Sequence, residues 1–215
     1  MSLPVDRAWA VVVAGGSGSR FGGPKQFAAL AGRPLVEWSL ETARKFCDGV
    51  VLVLPPGTPG EWGSALVVTG GETRSDSVRA GLAAVPDGVD MIVVHDAARP
   101  LAGEALWQAV LEAVEAGADG AIPACPVTDT IKKRTSDGVL VTLERSELVA
   151  VQTPQAFRAG AIKQAHAGGG HATDDAALVE AAGGRVVLVE GDPRNIKVTT
   201  TTDLLVAEAL IKERS

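Results

Sequence analysis

The chain has 215 residues, with 20 Lys and Arg against 26 Asp and Glu, a formal charge of −6, 46% apolar residues and 21% charged residues. That length supports one sizeable core and a single domain over 1–215, and the acidic balance excludes non-specific nucleic-acid binding, which needs a basic face. No apolar run approaches the roughly 20 residues that cross a bilayer, the first residues lack a secretory pattern, and Cys47 and Cys125 have no metal-ligand spacing, so a soluble, cytoplasmic protein with reduced thiols is expected.

In chain order, the first element is the apolar run Ala10, Val11, Val12 and Val13, whose β-branched residues suit a central strand of a parallel sheet covered on both faces. The run stops at Ala14, and five glycines follow between Gly15 and Gly23, with Arg20 and Lys25 as cations. Such a loop lets backbone amides approach an anion. Gly16 and Gly18 begin a G-x-G-x-x-G, but Phe21 occupies the third glycine position and no Gly-Lys-Ser/Thr follows, so neither the dinucleotide nor the P-loop pattern is met. The loop suits a nucleoside triphosphate, and it reads alternatively as an ordinary βα connection.

Pro34 opens a helix that carries Leu35, Val36, Trp38, Leu40, Ala43 and Phe46 at helical spacing and ends near Gly49. Strands are expected at 50–54 and 65–69, then a helix capped by Ser75 or Asp76 and carrying Val78, Leu82 and Val85, and a strand at 91–94. A helix over 104–116 and a strand over 120–124 continue the alternation, which implies a parallel sheet with right-handed crossovers.

After Pro126 the pattern breaks. Residues 130–134 and 139–143 read as short strands joined through Ser136-Asp137-Gly138, an arm over about 127–150. A two-stranded hairpin is marginal alone, so its apolar residues Val139, Val141 and Leu143 call for a partner surface, most economically a second copy of the chain. Thr153-Pro154-Gln155 reads as a rigid polar turn, and 173–175 as a helix N-cap. Helices over 159–167 and 174–182, a strand over 186–189 and a helix from 202 complete a three-layer, mostly parallel, Rossmann-like α/β domain.

Ligands of such a sheet bind beyond the carboxyl ends of its strands. The glycine loop, Gly70-Gly-Glu-Thr-Arg-Ser-Asp-Ser77 and His95-Asp-Ala-Ala-Arg-Pro100 all fall there. Asp96 at a strand end suits Mg²⁺ on a polyphosphate, or else a capping or ion-paired carboxylate. Arg99 suits a phosphate or hydroxylated substrate, or else a surface ion pair. His95 reads as structural. Lys197, flanked by Ile196 and Val198, either snorkels to solvent or points at an anion.

Taken in order, A-G-G-S-G-S-R-F-G-G-P-K-Q-F, G-G-E-T-R-S-D-S-V, V-H-D-A-A-R-P, P-V-T-D-T-I-K, L-E-R-S-E-L, Q-T-P-Q-A-F and N-I-K-V-T resemble the 2-C-methyl-D-erythritol 4-phosphate cytidylyltransferase family. The resemblance implies a nucleotidyltransferase fold and transfer of CMP from CTP to the polyol phosphate, with Mg²⁺, in a homodimer joined through the arm. It also implies roles for individual residues. Ala14, Gly15, Gly16, Gly18, Gly71, Glu72, Ser77 and Ala97 would bind CTP; Arg20, Lys25 and Lys197 would be catalytic at the triphosphate; Asp96 would serve the metal and the acceptor phosphate; Arg99 and Thr153 would bind the methylerythritol moiety. Thr130 and Arg145 would come from the arm of the partner subunit. The chain departs from the family pattern at Gly15, where alanine is usual, and at Ser19, where a second basic residue can occur. A pentitol (ribitol) 5-phosphate cytidylyltransferase would share the CTP site, and a non-catalytic CTP-sensing module would need neither Lys197 nor Arg145.

Overall fold

A computed structural model describes residues 7–16, 21–58, 60–170 and 172–213. Strand β1 (Ala8–Val13) leads into the glycine loop, and a 3₁₀ turn at Lys25–Phe27 is followed by a hairpin of β2 (Ala29–Leu30) and β3 (Arg33–Pro34). Then come α1 (Leu35–Phe46), β4 (Gly49–Leu54), β5 (Leu66–Thr69), α2 (Arg74–Ala84), β6 (Met91–Asp96), α3 (Glu104–Glu115) and β7 (Gly120–Pro126). The arm pairs β8 (Lys132–Arg134) with β9 (Leu140–Thr142). After it run β10 (Val149–Val151), β11 (Gln155–Arg158), α4 (Ala159–Ala167), α5 (Asp175–Ala181), β12 (Val186–Glu190) and α6 (Thr201–Lys212).

Because side chains alternate along a strand, β1 serves two cores at once. Ala10 and Val12 pack with Val36, Leu40, Trp107 and Val110 of α1 and α3, while Val11 packs with Val78 and Leu82 of α2 and Ile162 of α4. All three β1 residues are fully buried, and burying each valine is worth about 1.5–3 kcal/mol. The sheet is thus the middle of three layers, as its apolar runs imply. α2 lies so close to it that a Cβ on Gly81 would come within 2.4 Å of Val11 Cγ1, so glycine is required there.

β5, β4, β1 and β6 pair in that order, all parallel. The next strand is β11, which runs antiparallel between β6 and β7, and β12 pairs parallel with β7 on its far side. Since Ala124 of β7 faces both Val151 of β10 and Glu190 of β12, β10 lies on the same side of β7 as β11. The two strands therefore form one interrupted ribbon, broken at Gln152-Thr153-Pro154, where the Thr153–Pro154 peptide is cis.

This corrects the expected rigid turn at 153–155, since Gln155 begins a buried strand at the centre of the sheet. Pro154 hid it, because proline inside an apolar run normally argues against a central strand. A second correction concerns α2. Its N-cap is Thr73, and not Ser75 or Asp76; the Thr73 side chain accepts from Asp76 N–H, and the Asp76 side chain accepts from Thr73 N–H in return. Among the described residues, no helix is long and apolar enough to cross a membrane.

Candidate active site

Two cavities adjoin at the carboxyl edge of the sheet. The larger, about 430 Å³, is lined by Ala14, Gly15 and Gly16 after β1, Lys25, the start of α2 with Gly71, Glu72 and Ser77, Ala97 after β6, and Lys197. Every residue expected at CTP that lies among the described residues is therefore in one place. Gly18 and Arg20 lie outside the described residues. The smaller cavity, about 220 Å³, is lined by Arg99, Thr153, Gln152, Gln155, Thr173 and Asp174, among others. Arg74, Asp96 and Lys197 line both cavities and form the seam between them.

The larger cavity is shaped by backbone. As β1 ends, Ala14 N–H still donates to Val53 O at 2.8 Å and Ala97 N–H to Val13 O at 3.0 Å, so both loops leave the sheet from anchored positions. A Cβ on Gly71 would meet Asp76 Cβ at 2.3 Å, which requires glycine beside the α2 cap. At Gly15 a Cβ would stand 3.2 Å from Ser77 Oγ, a tight but adjustable contact, so the usual alanine is nearly accommodated. The amino end of α2 opens on this cavity, and the positive end of its helix dipole favours an anion there.

At the seam, Asp96 holds two cations, with Lys197 Nζ 2.6 Å from Oδ2 and Arg74 Nε 3.1 Å from Oδ1. Burial alone would raise the Asp96 pKa, but Arg74 and Lys197 overcome it and hold the carboxyl well below the ordinary carboxylate range. Arg74 responds in kind. Burial opposes its charge, yet Asp96 and Asp175 keep its pKa above the usual guanidinium value. Of the two sequence readings of Asp96, the ion-paired one describes this geometry, and both of its oxygens are engaged.

Thr153 and His95 set the seam in place. Asp96 N–H donates to Thr153 Oγ1 at 3.0 Å, Thr153 Oγ1 lies 3.1 Å from His95 Nδ1, and His95 Nε2 lies 3.2 Å from Arg99 O. A carbonyl can only accept, so the ring donates from Nε2 and takes the threonine proton on Nδ1. Burial pulls the His95 pKa down to about 4, which keeps the ring neutral near pH 7. His95 is structural, as its sequence position suggests. Thr153 lines the smaller cavity with its hydroxyl proton already committed to His95.

Arg99 matches neither of its sequence readings in full. Its guanidinium donates to Asn195 O at 2.7 Å and Val151 O at 3.3 Å, tying the loop after β6 to β10 and to the lysine loop. Asn195, fully buried, donates from Nδ2 to Thr153 O at 2.9 Å and Gln152 Oε1 at 3.2 Å. The Thr-Pro-Gln and Asn-Ile-Lys stretches are thus two sides of one clamp. Gln152 and Gln155, Thr173, Asp174 and Arg74 were not singled out from sequence as site residues. Arg74 stood in the polar cluster after β5, Gln152 and Gln155 in the Gln-Thr-Pro-Gln stretch, and Thr173 and Asp174 in the expected helix cap, so each had a local signal for position but none for a place in a cavity.

Thr130 and Arg145 line neither cavity. Arg145 Nη1 donates to Thr128 O at 2.7 Å within the arm, where Leu140 is 59% exposed and Val139 55%. Among the described residues, no cluster of three or more His, Cys, Asp or Glu side chains is placed to hold a metal.

The model of the 2-C-methyl-D-erythritol 4-phosphate cytidylyltransferase family matches residues 8–213. The chain is 44% identical over 225 residues to 2-C-methyl-D-erythritol 4-phosphate cytidylyltransferase of Rubrobacter xylanophilus, covering 96% of each chain. It is 42% identical over 228 residues to a bifunctional enzyme IspD/IspF of Nitratidesulfovibrio vulgaris, where the match takes in 94% of this chain but 58% of the relative's length. Other bifunctional relatives are matched over 54% of their length. The crystal structure of 2-C-methyl-D-erythritol 4-phosphate cytidylyltransferase from Thermus thermophilus superposes with a TM-score of 0.82 at 36% identity, over 94% of this chain and 98% of that one. With the family model spanning nearly all of the described residues and relatives this similar over nearly their whole length, the chain belongs to the 2-C-methyl-D-erythritol 4-phosphate cytidylyltransferase family.

Proposed function

We propose that this chain transfers CMP from CTP to 2-C-methyl-D-erythritol 4-phosphate, giving 4-diphosphocytidyl-2-C-methyl-D-erythritol and pyrophosphate. The observation that carries the reading is the seam, where Arg74, Asp96 and Lys197 face a nucleotide-sized cavity on one side and a smaller polar one on the other. A phosphate oxygen of the acceptor forms a bond to the α-phosphorus of CTP, the bond from that phosphorus to the bridging oxygen breaks, and pyrophosphate departs with the electron pair. The acceptor is already anionic, so no general base is needed and catalysis rests on orientation and charge.

Lys25 and Lys197, with Arg20, face the triphosphate in this reading. Lys197 donates to Asp96 at 2.6 Å, and a phosphate in the cavity would compete with that carboxylate for it. Mg²⁺ is bound in many polyphosphate sites through one or two carboxylates, substrate oxygens and several waters. Asp96, a single carboxylate already shared by two cations, fits a metal carried in on the triphosphate better than a resident one; when bound, Mg²⁺ would neutralise phosphate charge. Arg99 and Thr153 shape the acceptor cavity, and Thr130 and Arg145 complete it from the arm of a second copy. The protein works as a homodimer in the cytoplasm. Pyrophosphate release with CTP and methylerythritol phosphate, ribitol 5-phosphate or no acceptor tests the reading. Release with the methylerythritol compound alone is expected; release with the pentitol phosphate, or CTP binding without turnover, would replace it.

A further inference from the structure

A chain of charged and hydrogen-bonded side chains runs from the seam into the protein and ends at a histidine that lines neither cavity. Arg74, the first residue of α2, bridges Asp96 at the end of β6 and Asp175 at the start of α5, its Nη1 lying 2.8 Å from Asp175 Oδ2. Asp175 is only 1% exposed, and its other oxygen, Oδ1, lies 3.0 Å from His166 Nε2 on α4. A carboxylate oxygen can only accept, so His166 donates to it from Nε2, while Nδ1 is buried without a hydrogen-bond partner. A buried carboxylate shared by a guanidinium and an imidazole is costly unless its partners are held. Here it fixes three elements relative to one another.

The residues immediately before Asp175 make this consequential. Thr173 and Asp174 line the smaller cavity and not the larger one, and Asp174 caps α5 by accepting from Ala177 N–H at 3.1 Å. Arg74 and Asp96 border the larger cavity too, but its wall from Ala14 to Gly16 and at Gly71 comes from the loops after β1 and β5, which carry no member of this chain of side chains. Nη1 of Arg74 and Oδ2 of Asp175 are close but not aligned as a hydrogen bond, so Arg74 is steered by charge and is not locked by direction.

Resting on the cytidylyltransferase reading, we infer that Asp175 and His166 are positioning residues which, through Arg74, hold the seam and the α5 start in register for the acceptor phosphate. Neither touches substrate. Displacements of about 1 Å at a reacting centre cost up to about 100-fold, so the effect should be large and one-sided.

The test uses the full chain. Asp175→Asn keeps the shape and removes the anion from Arg74; His166→Leu removes the ring that orients Asp175; His166→Gln restores a donor near the place of Nε2. Steady-state kinetics with methylerythritol phosphate, equilibrium CTP binding and melting temperature are measured on each. Asp175→Asn and His166→Leu should lower kcat/KM for the acceptor about 10-fold to 100-fold, with CTP affinity unchanged at a temperature where both are folded, and His166→Gln should recover most of the loss. Equal losses for acceptor and CTP, a lowered melting temperature with wild-type kinetics, or no recovery in His166→Gln would overturn the inference. The wild-type control separates the two failures. An inactive wild type overturns the functional reading and this inference with it, whereas an active wild type with unaltered variants overturns this inference alone.

Discussion

Lys197 and Lys25 both line the larger cavity, but they reach it from different places. Lys25 comes from the 3₁₀ turn after the glycine loop, and Lys197 from a loop clamped by Asn195. Donors held in place before charge develops stabilise a transition state more than a ground state. Lys25→Ala and Lys197→Ala should therefore each lower kcat by about 10²–10³-fold while CTP still binds; single-turnover kinetics beside equilibrium CTP binding checks this, and wild-type turnover in either variant would exclude the role. Asp96→Asn is expected to act on stability as well as activity, because it leaves Arg74 and Lys197 facing a neutral group. The loss should be about 1–3 kcal/mol, below that of a fully buried pair because the Lys197 side chain is 42% exposed. Urea unfolding measures it. An unchanged midpoint would show that these ion pairs add nothing to the fold.

At the scale of elements, α2 joins folding to function, since the turn that caps the helix also borders the larger cavity. Thr73→Ala should cost about 1 kcal/mol, the usual worth of such a cap, and should weaken CTP binding through the loosened Gly71 turn. The box also has a pH signature. Hydrogen bonds from Thr73 and Arg79 lower the Asp76 pKa to about 2. A carboxylate with a depressed folded pKa contributes fully above its unfolded value near 4 and loses that contribution as pH falls toward 2. Asp76→Asn should flatten the acid limb of helicity between about pH 4 and pH 2, as followed by far-ultraviolet circular dichroism; an identical acid limb in the variant would remove this assignment. This cap was legible beforehand, because Thr73-Arg-Ser-Asp76 spells a capping box. Ser75, the residue type more usual at a cap, lies two positions further on.

For the whole molecule, the arm decides how many chains make one site. Its two strands have fully exposed burial patterns, and Val139, Leu140, Val141 and Val149 are each at least 44% exposed in the single chain. Such a hairpin gains stability by packing on something. If it packs on a second copy and delivers Arg145 there, Lys25→Ala and Arg145→Ala damage opposite halves of each site. Co-expression then forms mixed dimers with one doubly damaged site and one intact site. Random assembly makes about half the dimers mixed and restores about a quarter of all sites. Pyrophosphate release from the co-expressed protein measures the recovery; a mixture as inactive as its parents would show that Arg145 serves its own chain.

Much of the molecule was determined by local sequence. The apolar strands at 10–13, 50–54 and 91–94, the helix 159–167 and the arm's Asp137-Gly138 turn need only period, β-branching and turn chemistry, which neighbouring residues carry. The described residues expected at CTP come together in one cavity for the same reason, as most of them lie on loops directly after those strands. Tertiary structure alone decided the rest. Thr153-Pro154-Gln155 becomes a strand entry because β6 and β7 leave a slot that β11 fills, and nothing within those three residues expresses that slot. Arg99 binds carbonyls 52 and 96 positions away in sequence, and Arg74 meets Asp96 and Asp175 from three different elements. A charged side chain's role depends on which opposite charges are buried beside it, because burial removes the water that would otherwise make its neighbours matter little. That neighbourhood is set by the packing of distant segments, so no reading of the chain in order could assign it.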